Sequence, residues 1–280
     1  MVAFHPFRCE GQSELTVMTW NVHCPRGADS TRQRKIAELI IKTDADFVLL
    51  NEYCQDSCTI VDSILKKEYP YTEEALSHKS CGDIYYSKGE LKNSGNFYIR
   101  LLKRFQPALG GESYPDSLRG RSPLAIAATI SVGGDTVRIY GMHFMNNNCS
   151  GISDVSEYSS TESIRELYRH YKKAQSRRLF EAYWLKEAAA EVECPVIVMG
   201  DMNDFNCSAP LDTLTSCGLR DSWWEGGNGY GATYHAGWVR LRIDHILHSD
   251  KLKLETVKVI DTDLSDHNPV VAGFSFNKRD

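Results

Sequence analysis

The chain has 280 residues, 42% hydrophobic and 25% charged, a balance that excludes a disordered polymer and allows a core large enough to need no metal or disulfide staple. Its net charge of -5 excludes a protein that grips nucleic acid by bulk positive charge, while leaving room for a local phosphate whose positive partner is a bound cation. No apolar run approaches the ~20 residues of a membrane span.

Residues 1–12 lack the apolar stretch of a signal peptide and are expected to form a polar leader, with an upstream export or membrane segment left open. Residues 13–280 are expected to form one domain, monomeric and without an obligate protein partner. Within it, Leu15–Trp20 and Phe47–Leu50 are short β-branched apolar runs that predict strands. Thr31–Lys42, with Ile36, Leu39 and Ile40 on one face, predicts a helix. Ser57–Lys67, with Ile60, Val61, Ile64 and Leu65, predicts a second. Strand patterns return at Ile126–Ser131 and Val137–Met142, followed by a long helical pattern over Ser163–Glu191 that Cys194-Pro195 closes. Val196–Met199, Ile243–Leu247, Leu254–Ile260 and Val270–Phe276 complete the strands. Elements alternate early and strands cluster late, which suits an α/β (α+β) arrangement of two sheets packed face to face with helices outside.

Nine cysteines are an odd number, scattered and without paired Cys-x-x-Cys units. They read as buried or free thiols of a reducing compartment, which favours a cytoplasmic setting over a zinc site.

Polar residues recur at the strand ends. Asn21 follows the first strand, Glu52 the second, His143 the strand at Val137–Met142, and Asp201 and Asn203 the strand at Val196–Met199. Asp266 and His267 precede the last strand, and Asp244 opens Asp-His-Ile-Leu. Singly, each has a plain explanation as a cap, turn or core residue. Together they form a set of groups held on rigid elements, as a preorganised site requires. Hard divalent cations take oxygen ligands, which Glu52, Asp201 and Asp266 offer. Attack on a phosphate ester builds negative charge that a cation and hydrogen-bond donors must stabilise; His143 and His267 suit the second task. Asp244 is the candidate acceptor that fixes the His267 tautomer.

The ordered motifs Thr19-Trp20-Asn21, Asn51-Glu52, Gly141-Met142-His143, Gly200-Asp201-Met202-Asn203, Ile243-Asp244-His245 and Ser265-Asp266-His267 span most of the chain. With them the sequence resembles the endonuclease/exonuclease/phosphatase superfamily. The resemblance implies a four-layer α/β sandwich and divalent-metal-dependent hydrolysis of phosphate esters, with Mg2+ as the expected metal and Mn2+ as its substitute. It implies Glu52 as principal metal ligand, assisted by Asn21 or Asp266. Asp201 would position or deprotonate the attacking water, Asn203 would hold the phosphate, and His143 would bind a phosphate oxygen. His267, paired with Asp244, would act as general base or as stabiliser of the pentacoordinate phosphorus. One departure is Asn51, where the family usually has Gln before the metal-binding Glu.

Substrate choice is less legible. Arg121 (with Arg119) in Leu-Arg-Gly-Arg-Ser-Pro, Asn146 in a run of three asparagines, and Trp238 after Trp223-Trp224 are candidate substrate contacts. The basic run Arg165–Arg178 reads as a solvated helix face rather than a nucleic-acid surface. The expected partner is a phosphate-ester substrate, either nucleic acid in the manner of the tyrosyl-DNA phosphodiesterase branch, or a small molecule or lipid headgroup. A scaffold that has lost its chemistry would show gaps among the catalytic positions, and none is present.

Overall fold

A period of two along the strands and of 3.6 along the helices assigns each apolar residue to one of three layers of contact. The computed structural model describes residues 14–24, 29–76, 81–96, 124–146 and 161–277. The strands in chain order are β1 (Glu14–Asn21), β2 (Phe47–Cys54), β3 (Tyr71–Leu76), β4 (Cys81–Ser87), β5 (Lys92–Asn96), β6 (Leu124–Val132), β7 (Asp135–His143), β8 (Val196–Asp201) and β9 (Leu219–Asp221). They continue with β10 (Tyr234–Ala236), β11 (Val239–Leu241), β12 (Asp244–Ser249), β13 (Leu252–Val259) and β14 (Val270–Phe276). The helices are α1 (Ser30–Thr43), α2 (Thr59–Glu68), α3 (Thr161–Ala190), α4 (Ala209–Thr215) and α5 (Ser222–Gly226).

Two six-stranded sheets result, in the orders β13-β14-β1-β2-β4-β3 and β5-β6-β7-β8-β12-β9. Each contains a central parallel pair, β1 with β2 and β7 with β8, among antiparallel neighbours. Leu15 and Val17 of β1, Phe47 and Leu49 of β2, Val137 and Ile139 of β7, and Ile197 and Met199 of β8 meet between the sheets. The alternate residues face outwards. Met18, Trp20, Val48 and Leu50 pack with Ile36, Ile40, Val61 and Leu65 of α1 and α2. Tyr140, Met142, Val196 and Val198 pack with Ala182, Leu185 and Ala188 of α3 and with Leu211 and Leu214 of α4. The molecule is thus the expected four-layer sandwich, because strands buried on both faces read as near-continuous apolar runs.

Helix ends follow local chemistry. The Asp29 carboxylate accepts from Thr31 N and Arg32 N and caps α1, and Asp44 closes it with a left-handed φ of 54°. Each of the eight strands expected from the sequence is present. β3, β4, β5, β9 and the β10–β11 hairpin were not legible. β4 carries Gly82 and the buried acid Asp83, which break its apolar pattern, and β3 has only Ala75 fully buried.

The cysteine expectation is corrected. Cys54 and Cys81 are directly paired in the β2–β4 register and form a disulfide. The start of α2 brings Cys58 against Cys24 in a second one. Sheet pairing closes separations of 27 and 34 residues that no spacing rule flags. Among the described residues, Cys194, Cys207 and Cys217 are free.

Candidate active site

The face that forms the inter-sheet core turns polar at one end. Continuing the period of two from Val17 leads to Thr19 and Asn21, from Leu49 to Asn51, from Ile139 to Gly141 and His143, and from Met199 to Asp201. The parallel registers pair Asn21 with Asn51 and His143 with Asp201, and the antiparallel β8–β12 register pairs Asp201 with Asp244. The site is therefore the polar rim of the sandwich core, with both sheets contributing.

Glu52 breaks the alternation. Its φ is 51° and the β2–β4 register shifts between Leu50 and Tyr53, a bulge that turns its carboxylate to the same end. There Asn21 Nδ2 donates to Glu52 Oε1 (3.1 Å) and to Asp201 Oδ2 (3.0 Å). Asn21 Oδ1 accepts from His23 N (3.0 Å), so the amide bridges two acids as a donor rather than presenting oxygen as a ligand. His143 Nε2 stands 3.7 Å from both Glu52 Oε1 and Asp201 Oδ2. His267 Nδ1 pairs with Asp244 Oδ2 at 2.8 Å, and its Nε2 lies 3.9 Å from Asp201 Oδ2. Asn203, at φ 50°, donates its backbone N–H to Asp201 Oδ1 (2.9 Å) and its Nδ2 to Phe144 O (3.0 Å).

Local bonds fix these groups. Gly200 stands at φ 140°, and a Cβ there would overlap the Met142 carbonyl of the neighbouring strand, so the position requires glycine. Ser265 Oγ donates to Asn21 O (2.8 Å) and accepts from His267 N (3.2 Å), while Trp20 Nε1 donates to His267 O (2.8 Å). The departure at Asn51 is fully accommodated. Its Nδ2 donates to Asp83 Oδ1 (2.9 Å) and Met142 O (3.2 Å), and its Oδ1 accepts from Asp201 N (3.0 Å).

Charge follows from this crowding. Burial pushes the Glu52 carboxyl up, but the hydrogen bond from His23, the neighbouring His143 and the Asn21 amide outweigh it and bring its pKa to about 2. Burial lowers His267, yet Asp244 and Asp201 overcome this and raise it to about 10. Burial and the like charge of Asp244 lift Asp201 above the usual carboxylate value. His143 is raised by Asp83, Asp201 and Glu52 against the effect of burial, and burial pushes Asp83 itself up to about 6.

Among the described residues, two compact groups of possible metal donors have their ligand atoms within 4.8 Å of one another, Glu52–His143–Asp201 and Asp201–Asp244–His267. Asp266 belongs to neither. Its Oδ1 faces His23 Nδ1 at 4.0 Å, and the same nitrogen is 3.2 Å from Glu52 Oε2, so both acids open on the His23 side. Glu52 and Asp266 side chains are 37% and 38% exposed where Asp201 is 2%, which makes them the solvent-facing oxygens of the cluster. Two accessible carboxylates with amide support fit a hard divalent cation.

His23, Asn51 as a brace and Asp83 were not singled out from sequence. For the first, the available signal was its place two residues beyond Asn21. Arg121 and Arg119, with Asn147 and Asn148, lie outside the described residues. Asn146 is exposed three residues beyond His143. Trp238 is 79% exposed at the turn of the β10–β11 hairpin, whose Tyr234 ring packs 4.9 Å from His267. The basic run on α3 divides. Arg165, Arg169 and Lys172 are exposed, but Arg177 and Arg178 are buried against Glu181 and Asp204, which corrects the reading of one solvated face. No described helix is long and apolar enough to cross a membrane.

Known proteins give the same frame. No curated sequence matches the chain. A solved structure of humanized TDP2 from D. rerio superposes with a TM-score of 0.63 at 16% identity, covering 95% of this chain and 99% of that one. ANGEL2, a 2′,3′-cyclic phosphatase solved with adenosine-2′,3′-vanadate, gives 0.66 at 15% identity over 95% of this chain and 97% of its own. The 3′ phosphatase NExo from Neisseria, bound to a product DNA hairpin, gives 0.63 at 18% identity over 94% and 100%. These likenesses establish the fold. The model of the Endonuclease/Exonuclease/phosphatase family matches residues 18–267, so the chain belongs to that family of metal-dependent phosphoester hydrolases.

Proposed function

We propose that the protein is a magnesium-dependent phosphodiesterase, with manganese as a substitute, acting on phosphate esters of nucleotides or nucleic acid. The observation that carries the reading is the juxtaposition of Asp201 and His267, a buried acceptor and a charged donor 3.9 Å apart at the rim of both sheets. His267, held by Asp244, stays protonated at neutral pH and donates to the non-bridging oxygens as negative charge develops. Asp201 is left as the acceptor for the attacking water. The water's proton passes to Asp201, its oxygen bonds to phosphorus, and the ester P–O bond opposite breaks, the leaving oxygen departing with the electron pair and taking a proton from solvent.

Asn21 keeps Asp201 and Glu52 at fixed separation, and His143, between the same acids, faces a phosphate oxygen as a second donor. Asn203 adds a polar contact from the Asp201 loop. Glu52 and Asp266 are the residues that would hold the cation, which supplies positive charge against the phosphate. TDP2 with single-stranded DNA product, ANGEL2 with an adenosine vanadate and NExo with a DNA hairpin support the substrate class.

The test is hydrolysis of plasmid DNA, a single-stranded oligonucleotide, a 5′-tyrosyl oligonucleotide, a nucleoside 2′,3′-cyclic phosphate, bis-p-nitrophenyl phosphate and inositol phosphates, with magnesium, manganese or EDTA. EDTA-sensitive cleavage of a nucleotide or nucleic-acid member is expected. Preference for inositol phosphates would replace the substrate class with a small-molecule or lipid headgroup. Silence of folded protein across the panel would contradict the reading.

A further inference from the structure

Two side chains of α3 reach from the helix into the interior without entering the chemistry above. Arg178 and Glu181 are both 0% exposed. Arg178 Nε donates to Asp204 Oδ2 (3.0 Å), and its Nη1 donates to Met145 O (3.0 Å). Glu181, nearly one turn on, accepts Met145 N at Oε2 (3.1 Å) and Arg177 Nε at Oε1 (3.1 Å). Both polar atoms of the Met145 backbone are therefore held by one helix. Met145 lies two residues beyond His143, and Asp204 directly follows Asn203.

The two gripped segments also hold each other. Phe144 N donates to Asp201 O (2.9 Å) and Asn203 Nδ2 donates to Phe144 O (3.0 Å). Asp204 has a second anchor, because its carbonyl meets His245 Nε2 at 3.1 Å and its Oδ1 accepts Phe205 N at 3.0 Å. None of these bonds from α3 ends on the side chain of His143, Asp201 or Asn203. They end on the residues next along the chain.

A buried ion pair is a poor source of stability, since desolvation offsets most of its attraction and apolar replacements of similar volume are often neutral or better. What an apolar pair lacks is the ability to hold a backbone carbonyl, a backbone N–H and a loop carboxylate at set distances. Catalytic groups need placement within about 0.5 Å, and misplacement by about 1 Å lowers rates about 100-fold.

We infer that Arg178 and Glu181 are positioning residues, which fix the spacing between the His143 strand end and the Asp201–Asn203 loop through Met145 and Asp204. The kinetic part of this inference rests on the phosphoesterase reading; the structural part stands without it.

The experiment compares the full chain with Arg178→Lys and the double variant Arg178→Met/Asp204→Leu. Three quantities are followed: kcat and KM on the best panel substrate, melting temperature, and hydrogen exchange of peptides covering Met142–Met145 and Gly200–Phe205. The double variant should melt within a few degrees of wild type or above it, lose about 100-fold in kcat with KM within about threefold, and exchange faster in those peptides alone. Arg178→Lys keeps the charge but loses the fork, and should lower kcat about tenfold at near-native melting. A double variant with restored melting and native kcat would overturn the inference, as would a kcat loss that simply tracks melting temperature across the set. If the double variant does not fold, Arg178→Lys decides. If wild type is inactive on every substrate the phosphoesterase reading fails, and unchanged exchange in the two peptides would then overturn the positioning role as well.

Discussion

Glu52 and Asn203 share a left-handed backbone, at φ 51° and 50°, that side-chain-bearing residues adopt at the expense of about 1–3 kcal/mol each. Both sit where the chain must leave the strand alternation and present a polar group to the rim. Glu52→Gln, which keeps the shape and removes the charge, should raise the magnesium concentration for half-maximal binding at least about tenfold, measured by calorimetry. An unchanged affinity would remove Glu52 from the metal site. Asp201→Ala and His267→Ala should each lower turnover about a thousandfold or more with native circular dichroism; normal turnover in either would refute the assignment. His267 also links stability to pH. Its folded pKa of about 10 lies above the ordinary 6.5, so its contribution is complete below about pH 6.5 and fades as pH rises towards 10. The melting difference between metal-free wild type and His267→Gln should therefore shrink on that alkaline limb, and a difference that grows there would contradict the Asp244 pairing. Asn21, His143 and Asp201 could be picked out from sequence because they extend an apolar period. His23 and Asp83 could not, because one follows the strand in a loop and the other interrupts a strand with a buried charge.

At the scale of elements, the β7–β8 pair is the rigid base of the site. Gly200 is required there by its φ of 140° and by the Met142 carbonyl that fills the space of a Cβ. Gly200→Ala should destabilise the protein by more than about 2 kcal/mol in urea unfolding, and a change below about 0.5 kcal/mol would show that the strands separate without strain. Strands of the inter-sheet layer were legible because both of their faces are buried. The edge strands β3 and β5 and the hairpin β10–β11 have fewer buried side chains and a weaker pattern. The charge pattern of α3 misled for a different reason. Periodicity separates apolar from polar positions, but it does not separate an exposed arginine such as Arg169 from Arg178, whose partner Asp204 comes from another element.

The whole molecule sets how substrate is approached. With a net charge of -5, binding to an oligonucleotide should rest on a few phosphates near the site. Proteins with 6–10 phosphate contacts lose about 10³–10⁵ in affinity between 50 and 200 mM salt, whereas here kcat/KM should fall less than about tenfold over that range. A steeper fall would point to an extended nucleic-acid surface. Two packed sheets with helices outside were expected from alternating and clustered runs, and the four-layer sandwich from the family resemblance; the meeting of both sheets at one polar rim came from the strand registers. The disulfides depended on β2–β4 pairing and on the entry into α2, which the sequence pattern does not encode. Metal-dependent hydrolysis through Asp201 is tested most directly by turnover of the best panel substrate by wild type and by Asp201→Asn, each with magnesium and with EDTA. Cleavage by wild type with magnesium alone is expected, and none by a fully folded Asp201→Asn. Equal cleavage by both, or cleavage that survives EDTA, would contradict it.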